Sequence, residues 1–239
     1  VEDDGEPRKI QHVLRIIAED GAAGKPLRNS LTWANRRCYK PFMPQKPARR
    51  KTALPKPQAD KSGLNGLKAL FSKHGFSDYR WLDPAEIVVA EWVRMKCLYG
   101  CREYGKNAAC PPNAPSVAEC ARFFREYKRA AVFHFAKAVE RPEDRHAWSR
   151  KVNLELLKLE EEVFKAGFVK AFLLFFDSCG ICPDCAASRT ACKEPKLSRP
   201  TPDALAMDVY STVRKLGYPI EVLSKYDQEM NRYAFLLID

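Results

Sequence analysis

Nine cysteines are the residues of this 239-residue chain whose spacing most directly indicates chemistry. Seven of them fall into two tight groups, namely Cys97, Cys101 and Cys110 in the first and Cys179, Cys182, Cys185 and Cys192 in the second. Closely spaced thiols can turn several sulfurs toward one centre, whereas disulfide partners are usually distant in sequence. An odd total also does not fit a disulfide framework. The grouping therefore indicates metal or redox chemistry.

The second group has the pattern Cys179-x2-Cys182-x2-Cys185, followed by Cys192. Ferredoxin-like iron-sulfur sites use this C-x2-C-x2-C arrangement and take a fourth cysteine from further along the chain. Four thiolates could also hold a structural zinc ion, but zinc knuckles usually pair two C-x2-C hairpins across a longer gap. The spacing favours an iron-sulfur cluster over zinc.

The first group has the pattern Cys97-x3-Cys101, and Cys110 follows after eight more residues with two prolines behind it. The prolines stiffen the loop and remove backbone donors, which helps to exclude water from a sulfur-bound metal. A radical S-adenosylmethionine motif would require a third cysteine where the chain has Tyr104. The pattern indicates a metal site but does not identify the metal, and buried free thiols are the alternative.

The predicted elements that precede the second group form a βαβ unit. Two apolar stretches, residues 130–139 and 168–176, are predicted strands, and residues 142–166 between them form the most strongly patterned helix of the chain. Such a unit has a right-handed crossover. The cysteines begin at the carboxyl end of its second strand, where α/β sheets usually bind ligands.

Further elements complete a single α/β domain. Residues 87–97 form a buried strand or helix that leads into the first group, and Ser116 with Glu119 predicts a capping box. The remaining predictions are a helix from Leu64, a helix over 201–216, and strands over 79–82, 218–224 and 232–239. We expect a mixed sheet that contains the βαβ unit, with cysteine-rich loops at the strand ends, in a domain over residues 63–239.

Residues 1–62 are predicted to form an extended, proline-punctuated N-terminal arm. They hold 14 basic and 7 acidic residues, and so carry most of the formal net charge of +11. Such an arm can lie along a partner protein or an acidic surface, with Trp33, Tyr39 and Phe42 as apolar anchors. A solvated tail is the alternative. No nucleic-acid reading module is recognisable.

Several separated segments resemble one known family. They are IVVAEWVRMKCLYGC at 87–101, the CPP at Cys110, the group from Cys179 to Pro195, RPTPDALAMDVYSTVRKLGYPIEVL at 199–223 and RYAFLLID at 232–239. Together they resemble a widespread bacterial and archaeal family of predicted metal-binding proteins, domain of unknown function 2284, over about 64–239. The resemblance implies iron in sulfur clusters, with the seven grouped cysteines as cofactor and metal ligands. Departures at Arg102 and in CKEP at Cys192 are peripheral to ligation.

The other cysteines and the histidines have simpler interpretations. Cys120 lies in a predicted helix beside two phenylalanines, where a buried thiol is expected and an eighth ligand is the alternative. Cys38, in the arm, is taken as an incidental thiol. His134 is expected to be a satisfied histidine on a sheet face.

Seven thiolates suit one or two 4Fe-4S clusters, and fully ligated clusters move electrons. We therefore predict an electron-transfer module or a subunit of a larger redox assembly in anaerobic metabolism, which meets a protein redox partner through the arm. The alternatives are a catalyst with an open iron, of desulfurase or reductase type, and a zinc-stabilised interaction module, so enzymatic activity is left open. Neither a membrane span nor a secretory signal is recognisable, and a cytoplasmic location is expected.

Overall fold

A computed structural model describes residues 61–225 and 227–239, and almost all of the predicted arm lies outside them. The five helices of the described chain are α1 (Lys61–Lys73), α2 (Glu91–Gly100), α3 (Val117–Phe124), α4 (Pro142–Lys165) and α5 (Val209–Lys215). The four strands are β1 (Tyr79–Leu82), β2 (Ala130–Lys137), β3 (Phe172–Leu174) and β4 (Met230–Leu237). Short 3-10 turns occupy Pro84–Glu86 and Asp203–Leu205. No described helix has both the length and the apolar character needed to cross a membrane.

The four strands form one sheet in the order β1-β2-β4-β3. The α/β class is confirmed, but the predicted mixed sheet is wrong, because every neighbouring pair of described strands is antiparallel. Both β2 and β3 run antiparallel to β4, so they are parallel to each other but not adjacent. The βαβ unit is thus a split one, and β4 separates its strands by pairing with β2 from Ala130↔Leu237 to Lys137↔Met230.

Each face of the sheet has its own core, as the alternation of side chains along a strand requires. On one face, Phe133 and Leu236 pack with Phe71 of α1 and Leu159 of α4. On the other, the buried set comprises Leu82, Cys120, Phe124, Ala130, Val132, Leu174, Leu205, Met207, Val213, Tyr218, Tyr233, Phe235 and Leu237. The domain therefore has three layers, with α1 and α4 below the sheet and α3 and α5 above it.

A buried ion pair fixes the edge strand that leads to the second cysteine group. The Glu160 carboxylate of α4 accepts a hydrogen bond from the backbone N–H of Leu173 in β3 at 2.8 Å. Its other oxygen lies 2.8 Å from Nη2 of Arg199, which follows the cysteine loop. The N–H of Phe175 also donates to the Pro200 carbonyl at 2.9 Å. Helix, strand and the far end of the loop are thereby tied together.

The predicted helix over 201–216 is interrupted. Ala206 adopts a left-handed conformation with φ 59° and separates the Asp203–Leu205 turn from α5. Tertiary contacts explain the break: the Ala206 carbonyl accepts from the N–H of Ala90 at 2.9 Å, and the N–H of Asp208 donates to the Val88 carbonyl at 2.7 Å. These bonds to the segment before α2 replace bonds that a continuous helix would make.

Other predicted elements agree better with the structure. The Ser116–Glu119 capping box is present at the start of α3, and the long helix is found as α4. Residues 91–97 lie in helix α2, but the predicted burial of 87–97 is wrong, because only Val93 of this segment is buried. The strand predicted over 168–176 is restricted to β3. The strand predicted over 218–224 is wrong, because this segment has no regular secondary structure and hydrogen-bonds locally through Gln228.

Candidate metal centre

The first cysteine group lies at the end of α2 and in the loop that follows. Cys97 belongs to the last turn of α2, and Cys101 ends the helix in an extended conformation. The loop then folds through a series of tight turns, and its neck is closed by the N–H of Gly105, which donates to the Pro111 carbonyl at 3.2 Å. Gly105 has a φ of 77°, a left-handed conformation that glycine adopts without strain. The helix end and this compact loop carry all three cysteines of the first group.

The second group occupies the irregular segment after β3. All four of its cysteines line one cavity, whose wall consists of Asn107, Ala108, Cys179, Ile181, Cys182, Cys185, Ala186, Cys192, Lys193, Glu194 and Ser198. The Cys179 thiol donates to the Ser198 hydroxyl at 3.7 Å. The structure thus brings the four cysteines together around a shared space.

Two asparagines of the first loop join it to the second group. The Asn107 side chain donates from Nδ2 to the Cys179 carbonyl at 3.0 Å, and the N–H of Ala108 donates to Sγ of Cys185 at 3.3 Å. Nδ2 of Asn113 donates to the Ala187 carbonyl at 3.0 Å, and its Oδ1 accepts from the N–H of Arg189 at 3.2 Å. Sequence reasoning missed both asparagines, because their role depends on a contact between distant loops.

The thiols of the two groups influence one another electrostatically. Burial in the first place, and then the nearby Asp203, Cys97, Cys101 and Cys179, raise the pKa of Cys110 to about 12. Burial also raises the pKa of Cys97, again with Asp203 as the next cause. Cys179 lines the second cavity and its backbone carbonyl accepts from Asn107 of the first loop, so it is a point of contact between the two groups.

In the second group, too, burial and neighbouring thiols raise the pKa of a cysteine. The pKa of Cys182 is raised by desolvation and then by Glu194, Cys192, Cys179 and Cys185. Thiols with raised pKa values are protonated near neutral pH when no metal is bound, so metal binding must displace protons. Metal retention at both groups should therefore weaken as the pH falls.

Asp203 is a further residue that sequence reasoning did not select. It stands in the short turn between the cysteine loop and α5, and its carboxylate contributes to the raised pKa values of Cys97 and Cys110. Desolvation raises the pKa of the Asp203 carboxyl, and the positive charge of Arg232 acts in the opposite direction. No motif marks this position, because a single acid in an apolar segment has no spacing to recognise.

The remaining candidates lie elsewhere. Cys120 is 1% exposed in α3, where its thiol donates to the Pro115 carbonyl at 3.6 Å, and its role as an eighth ligand stays a hypothesis. Cys38 lies outside the described residues. His134 is held between Asp78 at 2.6 Å from Nδ1 and Asn231 at 2.7 Å from Nε2, as expected of a satisfied sheet histidine.

A second, more open cavity of about 350 Å³ adjoins the first. It shares Ile181, Cys182, Lys193 and Glu194 with the first cavity and adds Arg150, Leu154, Pro183, Asp184 and Leu197. Cys182 is the only described cysteine in both walls. This thiol therefore connects the cysteine-lined space with a larger, solvent-facing recess of mixed charge.

The described side chains do not form a preformed binding site for a single metal ion. Within 61–225 and 227–239, no three His, Cys, Asp or Glu side chains are grouped as a single metal ion requires. Four sulfurs in a tetrahedron at about 2.3 Å from zinc would lie about 3.8 Å apart. A cubane cluster places each thiolate on a different iron and accepts wider spacing. The donor set consists of soft thiols, which are the ligands that clusters use, but the cavity that the second group lines is only about 20 Å³ and would have to widen to admit a cluster.

Comparison with known proteins agrees with this donor set. The family model described as "Predicted metal-binding protein (DUF2284)" matches residues 80–238, which include both cysteine groups and all four strands except the first residue of β1. No curated protein and no solved structure shows significant similarity to the chain. Since the match covers well over half of the sequence, the chain belongs to this family of predicted metal-binding proteins.

Proposed function

We propose that the protein binds iron-sulfur clusters, with two 4Fe-4S clusters at the two cysteine groups, and acts as an electron-transfer module. The observation that carries this proposal is the contact between the two cysteine loops, in which Asn107 bonds to the Cys179 backbone and Ala108 bonds to the Cys185 thiol. Seven thiols that are distant in sequence are thereby gathered in one region. Adjacent clusters allow an electron to pass from one to the other before it leaves the protein.

The type of ligand supports clusters over a single zinc ion. The cysteines of the second group surround a cavity rather than a point, and the described residues offer no compact set of three ligands. Thiolates are the ligands that iron-sulfur clusters use, and the C-x2-C-x2-C spacing is common among ferredoxins. A zinc-stabilised interaction module would instead require the thiols to close to tetrahedral distances.

When bound, clusters supply one-electron oxidation and reduction. The chain's own residues set the conditions for this chemistry. The N–H of Ala108 donates to Sγ of Cys185, and hydrogen bonds to ligating sulfur raise the reduction potential by stabilising added negative charge. Ile181, which is 6% exposed, and Ala108, which is 1% exposed, shield the space between the sulfurs from water.

A catalyst with an open iron is the second candidate, and one observation favours it. The cavity of about 350 Å³ beside Cys182 could admit a small substrate, with Arg150 and Lys193 as cations in its wall. Such a site would serve a desulfurase or reductase type of reaction. The same recess equally suits the approach of a redox partner, so it does not by itself require catalysis.

The proposal is tested by anaerobic purification, followed by analysis of iron and acid-labile sulfide and by EPR of the reduced protein. We expect a brown protein with about eight irons and about eight sulfides per chain, and a spectrum of interacting clusters. Stoichiometric zinc without visible charge-transfer absorption would contradict the proposal and favour the interaction module.

We propose further that the arm recruits an acidic redox partner through its positive charge. Removal of residues 1–60 should leave iron and sulfide content unchanged and slow electron exchange with an acidic flavodoxin by at least about tenfold at low salt. Stopped-flow absorbance measures this rate. Neutralising only Arg49, Arg50 and Lys51 is the matched variant and should slow exchange in the same direction. Loss of iron from the truncated chain would instead make the arm part of the cluster-binding fold.

A further inference from the structure

We propose that an exposed apolar stripe on helix α2, formed by Trp92, Met95, Leu98 and Tyr99, is the docking surface for a redox protein with an acidic surface. This inference rests on the proposed electron-transfer function and assigns the surface that the partner occupies. The four side chains are 45%, 46%, 40% and 83% exposed, respectively. Contiguous apolar patches on a protein surface mark interaction sites.

The stripe lies on one side of α2. Trp92, Met95 and Tyr99 are three and four residues apart, so their side chains are neighbours on the helix surface, and Leu98 follows Met95 by three residues. Val93 is the only buried residue of this helix, and it lies at least about 100° around the helix axis from each of the four. A surface helix normally turns its apolar residues toward the core. In α2 they face solvent instead.

The same helix carries two thiols of the first cysteine group. Cys97 belongs to α2, and Cys101, which is exposed, follows its last residue. A helix with its side chains is about 10–12 Å across, so a protein seated on the stripe lies within roughly one helix diameter of these thiols. Electron exchange between two proteins requires such a close approach of their cofactors. The stripe is therefore placed where a redox partner of the first cysteine group would bind.

The charge around the stripe favours an acidic partner. Residues 91–106 hold four basic and two acidic residues, and the Lys96 ammonium group lies 4.9 Å from the centroid of the Trp92 ring. Of the two acidic residues, Glu103 is paired with Lys106 at 3.5 Å. A partner with carboxylates around its own contact surface complements this excess of positive charge.

The size of the stripe fits a transient partner better than a second copy of this chain. Stable complexes use about 20–30 residues on each side, whereas electron-transfer encounters bury less than about 1,200 Å² in total. Four apolar side chains on a helix of 10 residues are a small surface. Trp, Tyr and Met are also residues that are enriched in the cores of interfaces. The stripe thus suits a partner that binds, exchanges an electron and leaves.

The test uses the full chain, purified anaerobically with its clusters, and flavodoxin as the acidic redox protein. Y99E places a carboxylate on the stripe, and W92S removes apolar surface five residues before Cys97. V169E is the matched control, because it adds the same charge at a side chain that is 73% exposed and precedes β3, whereas the second cysteine group follows β3. Titration calorimetry measures the binding of oxidised flavodoxin. Stopped-flow absorbance measures the rate at which its reduced flavin loses one electron and a cluster takes up that electron.

We expect Y99E to bind flavodoxin at least about tenfold more weakly and to exchange electrons at least about tenfold more slowly, because like charges then face each other. W92S should weaken binding at least about fivefold, as the loss of an interface tryptophan does. V169E should stay within about twofold of the unmodified protein, since it changes the net charge and leaves the stripe intact. Iron and sulfide contents should be equal in all four proteins.

Unchanged binding in both Y99E and W92S would overturn the inference, and so would equal weakening in V169E, because net charge alone would then explain the effect. Failure of the unmodified protein to bind flavodoxin while it contains its clusters would overturn it as well. A dimer that Y99E separates in light scattering would make a second copy the occupant. Sedimentation with anionic lipid vesicles that Y99E abolishes would make the occupant a membrane surface.

These outcomes remain distinct from failure of the proposed function. If the unmodified protein contains no iron and sulfide, the electron-transfer proposal itself is wrong. If the clusters are present and the stripe variants bind flavodoxin as the unmodified protein does, only the role of the stripe is wrong. Should Y99E lose iron, W92S alone decides, since Trp92 is further from the thiols in sequence.

Discussion

Replacement of Cys182 by serine should remove about half of the bound iron and sulfide from a protein that carries two clusters. Cys182 lines the cavity of the second group and also the neighbouring open recess, so its loss leaves one iron facing solvent. Cluster binding contributes to folding free energy, and we therefore also expect a lower melting temperature and a lower yield. Iron analysis and integrated EPR intensity measure the first effect, and calorimetry measures the second.

Cys120→Ser is the matched control for this experiment. Cys120 is buried in α3, and serine can keep a hydrogen bond to the Pro115 carbonyl that the thiol now makes. Full iron and an unchanged spectrum in this variant would separate a core thiol from a ligand. Loss of a cluster would make Cys120 the eighth ligand. Retention of all iron by the Cys182 variant would contradict the assignment of the second group.

A second large effect is expected at the buried ion pair between α4 and the end of the cysteine loop. Arg199→Met removes the guanidinium that lies 2.8 Å from the Glu160 carboxylate, whose side chain is only 8% exposed. A buried charge left without its partner typically costs about 3–5 kcal/mol. For a domain of this size the melting temperature should fall by roughly 6–20 °C. Urea denaturation of the protein with its clusters gives the change in unfolding free energy.

Lys158→Met provides a comparison on the same helix. Lys158 pairs with Glu155 at 2.8 Å, but its side chain is 67% exposed, so the pair should contribute less than about 1 kcal/mol. A similar loss in both variants would show that burial of Glu160 is not the cause. Equal stability of Arg199→Met and the unmodified protein would show that the carboxylate finds another partner or becomes protonated.

Local signals in the sequence were sufficient for the helices that have clear ends. The capping box at Ser116 and the long amphipathic pattern after Pro142 predicted α3 and α4, because both depend on residues within a few positions. The helix over 201–216 was predicted for the same reason, and the structure has it only in part, as α5 and a preceding 3-10 turn. Its break at Ala206 arises from backbone bonds to Val88 and Ala90, which no local pattern records.

The order of the strands could not be predicted either, because it also depends on contacts between distant parts of the chain. Apolar stretches identify strands but not their neighbours, and nothing near residues 130–137 or 172–174 indicates that β4 will lie between them. In the same way, cysteine spacing located the two groups but not the contact that Asn107 makes with Cys179. Asp203 was missed because its surroundings, rather than its sequence, make it distinctive.

The insertion of β4 between β2 and β3 has a consequence for synthesis on the ribosome. Ala130 pairs with Leu237, so β2 must wait for roughly 100 further residues before its partner is translated. At about 5–20 residues per second this delay is roughly 5–20 s, and pairing at such long range is intrinsically slow. Both cysteine groups, at residues 97–110 and 179–192, are translated before β4, so neither has a closed sheet to position it until the chain is nearly complete. We expect cofactor loading to follow completion of β4, and nascent chains that stall before it to be vulnerable to thiol oxidation and aggregation.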